Sequence, residues 1–163
     1  MIIIDNFLQD PDNVRIDGLE LTYTKSEPNS PGWRGFRCLY TTVVGVELNK
    51  LIWNKLNELD PIQFNDSFLR CYFHYTLGED MSDTTHTDSG FDYAGVLYLT
   101  PNPQPNSGTI FYNDDNEQIN YVENVYNRLI IYPSNIPHRI MESFGDDITN
   151  GRLTYTIFLN TKH

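Results

Sequence analysis

Cysteine is nearly missing from this chain of 163 residues: only Cys38 and Cys71 are present. Two cysteines cannot build a disulfide framework, and this pair lacks zinc-finger spacing. The expectation is two reduced thiols in a cytoplasmic protein. Basic residues are scarce too, with 11 Lys and Arg against 22 Asp and Glu, a net charge of −11. None of the 11 forms a run. Affinity built on neutralising phosphates or anionic lipid is therefore not expected, which argues against nucleic-acid and membrane partners while leaving room for a local basic pocket. Long apolar runs are absent as well. Ile2-Ile3-Ile4 and Leu129-Ile130-Ile131 are typical of the aliphatic runs, far short of the ~20 residues of a membrane span. Residues 1–5 lack both the basic flank and the apolar length of a signal peptide.

Aromatics are abundant: 11 Tyr, 9 Phe and 2 Trp make up 13% of the residues. Such residues suit half-buried strands, and buried Tyr brings hydroxyls that need partners. The N-terminal third reads differently from the rest. Asp10-Pro11 is an N-cap followed by Pro at the first helical position, opening a short helix over 11–21 that Gly18 interrupts. Residues 24–37 hold Ser26, Pro28, Asn29, Ser30, Pro31, Gly32 and Gly35 and read as a loop. Val44, Leu48, Leu51, Ile52, Leu56 and Leu59 then form an apolar stripe at period 3.6, closed by Asp60-Pro61. Beyond residue 62, short strand-like runs follow one another at 68–76, 93–100, 108–112, 118–122, 128–132, 136–141 and 152–160, with turn residues between them. This spacing predicts a mainly β sandwich or barrel with N-terminal helices against one sheet. No repeat or linker divides the chain, so one domain over 1–163 is expected, with 1–61 as helical support and 62–163 as the core.

Four histidines are present. His163 reads as a tail and His74, mid-strand among aromatics, as a hydrogen-bonded structural residue. His86 opens His86-Thr87-Asp88 after the polar loop 78–85. In extended backbone residues i and i+2 point the same way, so this imidazole and carboxylate can converge. A His-x-Asp pair alone is a weak signal and can equally be a surface hydrogen bond. It gains weight from His138, 50 residues beyond Asp88 on a later strand. Two His and one carboxylate make the facial triad of non-haem Fe(II) oxygenases, whereas a structural zinc site would take a fourth protein ligand. On the last strand Arg152, Thr154 and Thr156 share one face, and Leu153, Tyr155, Ile157 and Leu159 the other. The polar face requires either solvent or an anion, and the pattern leaves both open.

His86-Thr87-Asp88, Gly95-Val96-Leu97-Tyr98-Leu99, Ser107-Gly108-Thr109, Arg128-Leu129-Ile130-Ile131-Tyr132-Pro133, Ile136-Pro137-His138-Arg139-Ile140 and Gly151-Arg152-Leu153-Thr154-Tyr155-Thr156 occur in this order. Over about residues 68–160 the chain thereby resembles the Fe(II)/2-oxoglutarate-dependent oxygenase superfamily, nearest its prolyl-4-hydroxylase-like branch. The resemblance implies a double-stranded β-helix, or jelly roll. It implies Fe(II) on His86, Asp88 and His138, and a hydroxylation coupled to decarboxylation of 2-oxoglutarate to succinate, with ascorbate as an auxiliary reductant. It puts the far carboxylate of 2-oxoglutarate on Arg152, with Thr154 and Tyr98 as hydroxyl partners and Tyr75 lining the co-substrate pocket. Arg152 lies 14 residues after His138, further than is usual in this branch, and the loop 142–150 absorbs the difference. Arg139, the rival arginine, adjoins His138 and should point away from the iron face. Trp33, Arg34 and Arg37 sit in a loop that either covers the site mouth or is merely packed, and Asp114, Asp115 and Glu117 read as a solvated hairpin tip. Two other readings stay open: a cupin-like metal isomerase or hydrolase, and a non-catalytic jelly-roll binding module. The substrate, a small molecule or a protein side chain, and the oligomeric state are not legible.

Overall fold

The computed structural model describes residues 1–27, 33–64, 68–81 and 83–161. Part of the expected 24–37 loop and the terminal His163 lie outside the described residues. In chain order the elements are β1 (Ile2–Ile4), α1 (Pro11–Leu19), β2 (Thr24–Lys25), β3 (Phe36–Arg37), α2 (Val43–Leu59), α3 (Pro61–Phe64), β4 (Phe68–Thr76), β5 (Tyr93–Tyr98), β6 (Thr109–Tyr112), β7 (Gln118–Val122), β8 (Leu129–Pro133), β9 (His138–Ile140) and β10 (Arg152–Asn160). Among these no helix is long and apolar enough to cross a membrane.

The two main helices start as their caps dictate. Asp10 accepts the Asn13 amide at 3.1 Å with Pro11 at the first helical position, and Thr42 Oγ1 accepts the Gly45 amide at 2.9 Å. On α2 the buried stripe is narrower than expected: Leu48, Ile52 and Leu56 are buried, whereas Leu51 and Leu59 are each 50% exposed. Asp60 both ends α2 and begins α3, accepting the Gln63 amide at 3.1 Å. Helix α1 closes at Leu19 and buries Arg15 and Gly18 rather than an apolar stripe. Arg15 donates to the carbonyls of Leu99 at 2.8 Å and Thr149 at 2.6 Å, tying the helix to the sheet end.

Two antiparallel sheets face each other. The larger has the order β1-β8-β5-β10-β4-β3-β2, and the smaller β7-β6-β9. His86 bridges to His138 at the free edge of β9 and extends the smaller sheet by one short segment. Segments β4, His86, β5, β6, β7, β8, β9 and β10 thus pass back and forth between the layers as a jelly roll, with the β6–β7 hairpin kept within the smaller sheet and β10 central to the larger one, a mainly β architecture. Strand alternation splits the larger sheet into two faces. One carries Phe73, Leu97, Leu129, Ile131, Leu153 and Ile157 against Leu48, Ile52 and Leu56 of α2. The other carries Val96, Tyr98, Ile130 and Tyr132 against Phe111 and Val122 of the smaller sheet. Both cysteines are free thiols.

Candidate functional site

The space between the sheets is not filled. A cavity of about 400 Å³ opens there, bordered by His86, Asp88 and His138 on one side and Arg37, His74 and Arg152 on the other. His86 and His138 are held by reciprocal backbone bonds: His86 N–H donates to the His138 carbonyl at 3.0 Å, and His138 N–H to the His86 carbonyl at 2.9 Å. The Asp88 amide donates to the Ser134 carbonyl at 3.0 Å, and Ser134 is itself fixed by bonds to the Asp92 and Phe91 carbonyls. These backbone anchors bring one donor atom from each of the three side chains within 4.8 Å of the others. Asp88 lies between the imidazoles, 3.8 Å from His86 Nε2 and 3.3 Å from His138 Nε2.

The donor set suits a divalent ion. His138 Nδ1 donates to the Ile136 carbonyl at 2.9 Å, which leaves Nε2, on the Asp88 side, as the nitrogen available to a metal. Tyr132 and Phe111 wall the His138 ring at centroid distances of 4.9 and 6.1 Å. Partial burial and the adjacent His138 ring hold the His86 pKa below its ordinary value, against the pull of Asp88, which favours the neutral imidazole a metal needs. Three protein donors leave further coordination positions for small molecules, as an oxygen-activating centre requires.

Arg152 stands on the opposite wall, 2% exposed. Its Nε donates to the Ser107 carbonyl at 2.8 Å, and its guanidinium lies 5.3 Å from the centre of the Tyr98 ring. Its Nη2 is buried and has no hydrogen-bond partner among the described residues. Burial pulls its pKa down, yet the group stays a cation at neutral pH. A buried, unpartnered guanidinium nitrogen beside a cavity is a site for an anion. Tyr98 Oη is 2.8 Å from Thr109 Oγ1. One proton joins those two hydroxyls, the second can serve a further acceptor, and burial keeps the phenol protonated.

Two expected co-substrate residues are placed otherwise. Thr154 is fully buried, and its Oγ1 donates to the His74 carbonyl at 3.1 Å, so its one proton is already committed. Tyr75 is on the far face of the sheet. It shares the parity of Cys71 and Phe73, stacks on Phe36 at 4.5 Å, and meets Tyr23 edge-on at 4.9 Å, within the helix-side core. The alternation of β4 forbids it from reaching the cavity. Arg139 borders the cavity but turns its guanidinium to Tyr112 Oη at 3.0 Å and to the carbonyls of Ile140 and Met141. Asp114, Asp115 and Glu117 are exposed in the β6–β7 turn.

His74 is hydrogen-bonded, as expected, but also borders the cavity, and Arg37, expected either to cover the site mouth or to be merely packed, lines the cavity from a strand. His74 is a cavity residue, with Nε2 at 2.5 Å from the Arg34 carbonyl. Burial first, then the charges of Arg37 and Arg152, push its pKa down to about 3, so it is a neutral donor there. Arg37 belongs to β3, paired with His74 on β4, and faces the cavity with Trp33 and Arg34. Strand parity was the available signal: His74 shares the face of β4 opposite Phe73.

The model of a family of unknown function (DUF6445) matches residues 113–159, well under half of the chain. Sequence comparison with curated proteins finds no match. Solved structures match along nearly the whole length. A prolyl hydroxylase of Trichoplax adhaerens, in complex with a hypoxia inducible factor oxygen degradation domain peptide fragment, superposes with a TM-score of 0.70 at 16% identity, covering 98% of this chain and 82% of that one. A prolyl-4-hydroxylase of Pseudomonas putida gives 0.66 at 18% identity, covering 99% and 92%. An oxidoreductase of the 2OG-Fe(II) oxygenase family from Burkholderia pseudomallei gives 0.71 at 12% identity, covering 98% and 84%. The chain has the jelly-roll fold of these enzymes.

Proposed function

We propose that this protein is a non-haem Fe(II), 2-oxoglutarate-dependent dioxygenase that hydroxylates its substrate, working in a reducing, cytoplasmic compartment. One observation carries the proposal. Three metal donors within 4.8 Å of one another and a buried guanidinium with a free Nη2 border the same cavity. His86, Asp88 and His138 would hold the iron, which when bound supplies dioxygen activation coupled to oxidative decarboxylation of 2-oxoglutarate.

The chain's own groups then have separate tasks. Arg152 receives the far carboxylate of 2-oxoglutarate, helped by the spare proton of the Tyr98–Thr109 hydroxyl pair. That anchor orients the keto-acid end toward the triad. Tyr132, Phe111 and Val96 keep this end of the cavity apolar and limit water. A metal hydrolase with the same triad has no use for a buried carboxylate clamp, which weighs against the cupin-like reading.

The test is anaerobic addition of Fe(II) and then 2-oxoglutarate, read by the weak visible charge-transfer band of the chelate and by calorimetry. The wild type should develop the band, His138→Ala should not, and ascorbate should serve only to keep iron reduced in later turnover assays. Absence of both band and binding heat in the wild type overturns the proposal.

A further inference from the structure

Among the described residues four buried side-chain atoms lack a hydrogen-bond partner: Arg37 Nε, Asn57 Oδ1, Asn124 Oδ1 and Arg152 Nη2. Two of the four are guanidinium nitrogens, and both arginines border the same cavity. Arg152 is accounted for by the co-substrate. Arg37 is not.

Arg37 contacts the protein through aromatic faces. Its guanidinium carbon lies 4.8 Å from the ring centre of Trp33, 4.9 Å from that of Tyr72 and 5.8 Å from that of Phe158. Among the described residues it makes no side-chain hydrogen bond and no ion pair. Cation–π contact offsets only part of the desolvation of a guanidinium. Burial accordingly lowers its pKa to about 10, still well above neutrality. Of the carboxylates that border the cavity, Asp88 belongs to the triad, from where its charge favours the Arg37 cation without pairing with it, and Asp80 Oδ2 accepts the Leu77 amide at 2.9 Å. The cavity therefore holds a cation whose Nε has no hydrogen-bond partner and whose guanidinium pairs with no carboxylate among the described residues.

Position separates this cation from the first. Arg37, His74, Thr154 and Tyr98 are direct neighbours across β3, β4, β10 and β5, and Arg152 is two residues along β10. Two strand spacings sideways and two residues along put the Arg37 and Arg152 Cα atoms roughly 12 Å apart. A co-substrate held between Arg152 and the triad leaves Arg37 to another molecule.

We infer that Arg37 binds a carboxylate of the primary substrate, whose body lies against Trp33, Tyr72 and Phe158 with the triad beyond. The substrate class is a carboxylic acid, either a free amino or organic acid or an acidic peptide side chain. The inference rests on the proposed oxygenase reading and deepens it. The guanidinium fork donates two parallel bonds to one carboxylate, which a lysine cannot reproduce.

The experiment is calorimetric titration into the anaerobic protein saturated with Fe(II) and 2-oxoglutarate, in three arms. The first uses the free protein amino acids and short aliphatic and aromatic acids. The second uses their primary amides. The third uses capped Asp and Glu amides, which carry only a side-chain carboxylate. At least one acid should bind, its amide at least about tenfold more weakly. A hit in the first arm assigns a free acid, and a hit in the third alone an acidic side chain. Arg37→Gln should lose at least about tenfold in that affinity while forming the 2-oxoglutarate chelate like the wild type, which also shows that it folds. Arg37→Lys should recover part. Equal binding of acids and amides, no binding by any acid, or an Arg37→Gln variant that binds like the wild type overturns the inference. A wild type without the chelate band defeats the oxygenase reading instead.

Discussion

At the residue scale, hydrogen-bond commitments decide which side chains are available to a ligand. Arg152 is buried with one nitrogen free, whereas the Thr154 proton is spent on the His74 carbonyl. Charge-assisted bonds are worth roughly 1.5–3 kcal/mol each, and an unpaired carboxylate costs more. Arg152→Ala should therefore weaken 2-oxoglutarate binding on the order of a hundredfold while leaving metal affinity unchanged, and Arg152→Lys should restore part. Thr154→Val should change the same affinity by less than about threefold. Titration of 2-oxoglutarate into each metal-loaded variant measures both, and a larger loss in Thr154→Val would mean that its hydroxyl turns to the ligand. His74 offers a second prediction. Its folded pKa of about 3 lies below the ordinary 6.5, so the unfolded chain binds the extra proton between those values. Its contribution to stability is complete above pH 6.5 and is lost as pH falls toward 3. The slope reaches at most about 1.4 kcal/mol per pH unit. Urea unfolding of metal-free protein at pH 7.5, 6.5 and 5.5 should show this decline, and His74→Asn should flatten it. An unchanged slope in the variant would show that His74 is not the group responsible.

At the scale of elements, α1 inverts the usual logic of an amphipathic helix. Its buried positions are Arg15 and Gly18, with Val14 and Leu19 only partly buried against the core. A Cβ on Gly18 would come within 3.0 Å of the Phe73 ring, itself buried and edge-on to Tyr155 at 4.8 Å. The glycine read in the sequence as an interruption is a close approach between helix and sheet. Gly18→Ala should lower the melting temperature although alanine favours helix by about 1 kcal/mol, because the packed ring cannot yield cheaply. A melting temperature raised above the wild type would show that Phe73 has room to move. Strand β3 is the other element whose role exceeds its length. Two residues at the edge of β4 are enough to aim Arg37 into the cavity.

At the scale of the whole molecule, the larger sheet couples support and site. Its β10 carries Leu153 and Ile157 toward α2 and Arg152 toward the cavity. Tyr155 Oη on the helix side donates to the Gly45 carbonyl at 3.0 Å. Loss of helix packing should therefore destabilise the site as one unit. Ile52 is fully buried on α2, so Ile52→Ala should cost about 2–5 kcal/mol. Helix circular dichroism and the fluorescence of the aromatic cavity should still unfold in one coincident transition, as expected for a single domain. Separate midpoints would mean that residues 1–61 and 62–163 are independent units.

Much was legible in the chain without its structure, because strand and helix periods are local. The alternation on β10 placed Arg152 and Leu153 on opposite faces, and β4 and β7 have the bounds their sequence pattern predicted. Asp10-Pro11 and the 3.6-residue stripe located both main helices. His86, Asp88 and His138 were candidates from residue type and order, and the resemblance supplied their common purpose. Tertiary structure decided what no local pattern holds. Three-dimensional pairing of β3 with β4 turned a stretch read as loop into the mount of Arg37. Strand register set Tyr75 on the helix side and gave the Thr154 proton to the His74 carbonyl. Burial, which depends on every layer at once, made His74 a neutral imidazole and left two guanidiniums around one cavity short of partners among the described residues. Periodicity within a strand is set by its own backbone, whereas which hydrogen bonds remain unmade is set by what the rest of the fold brings within reach.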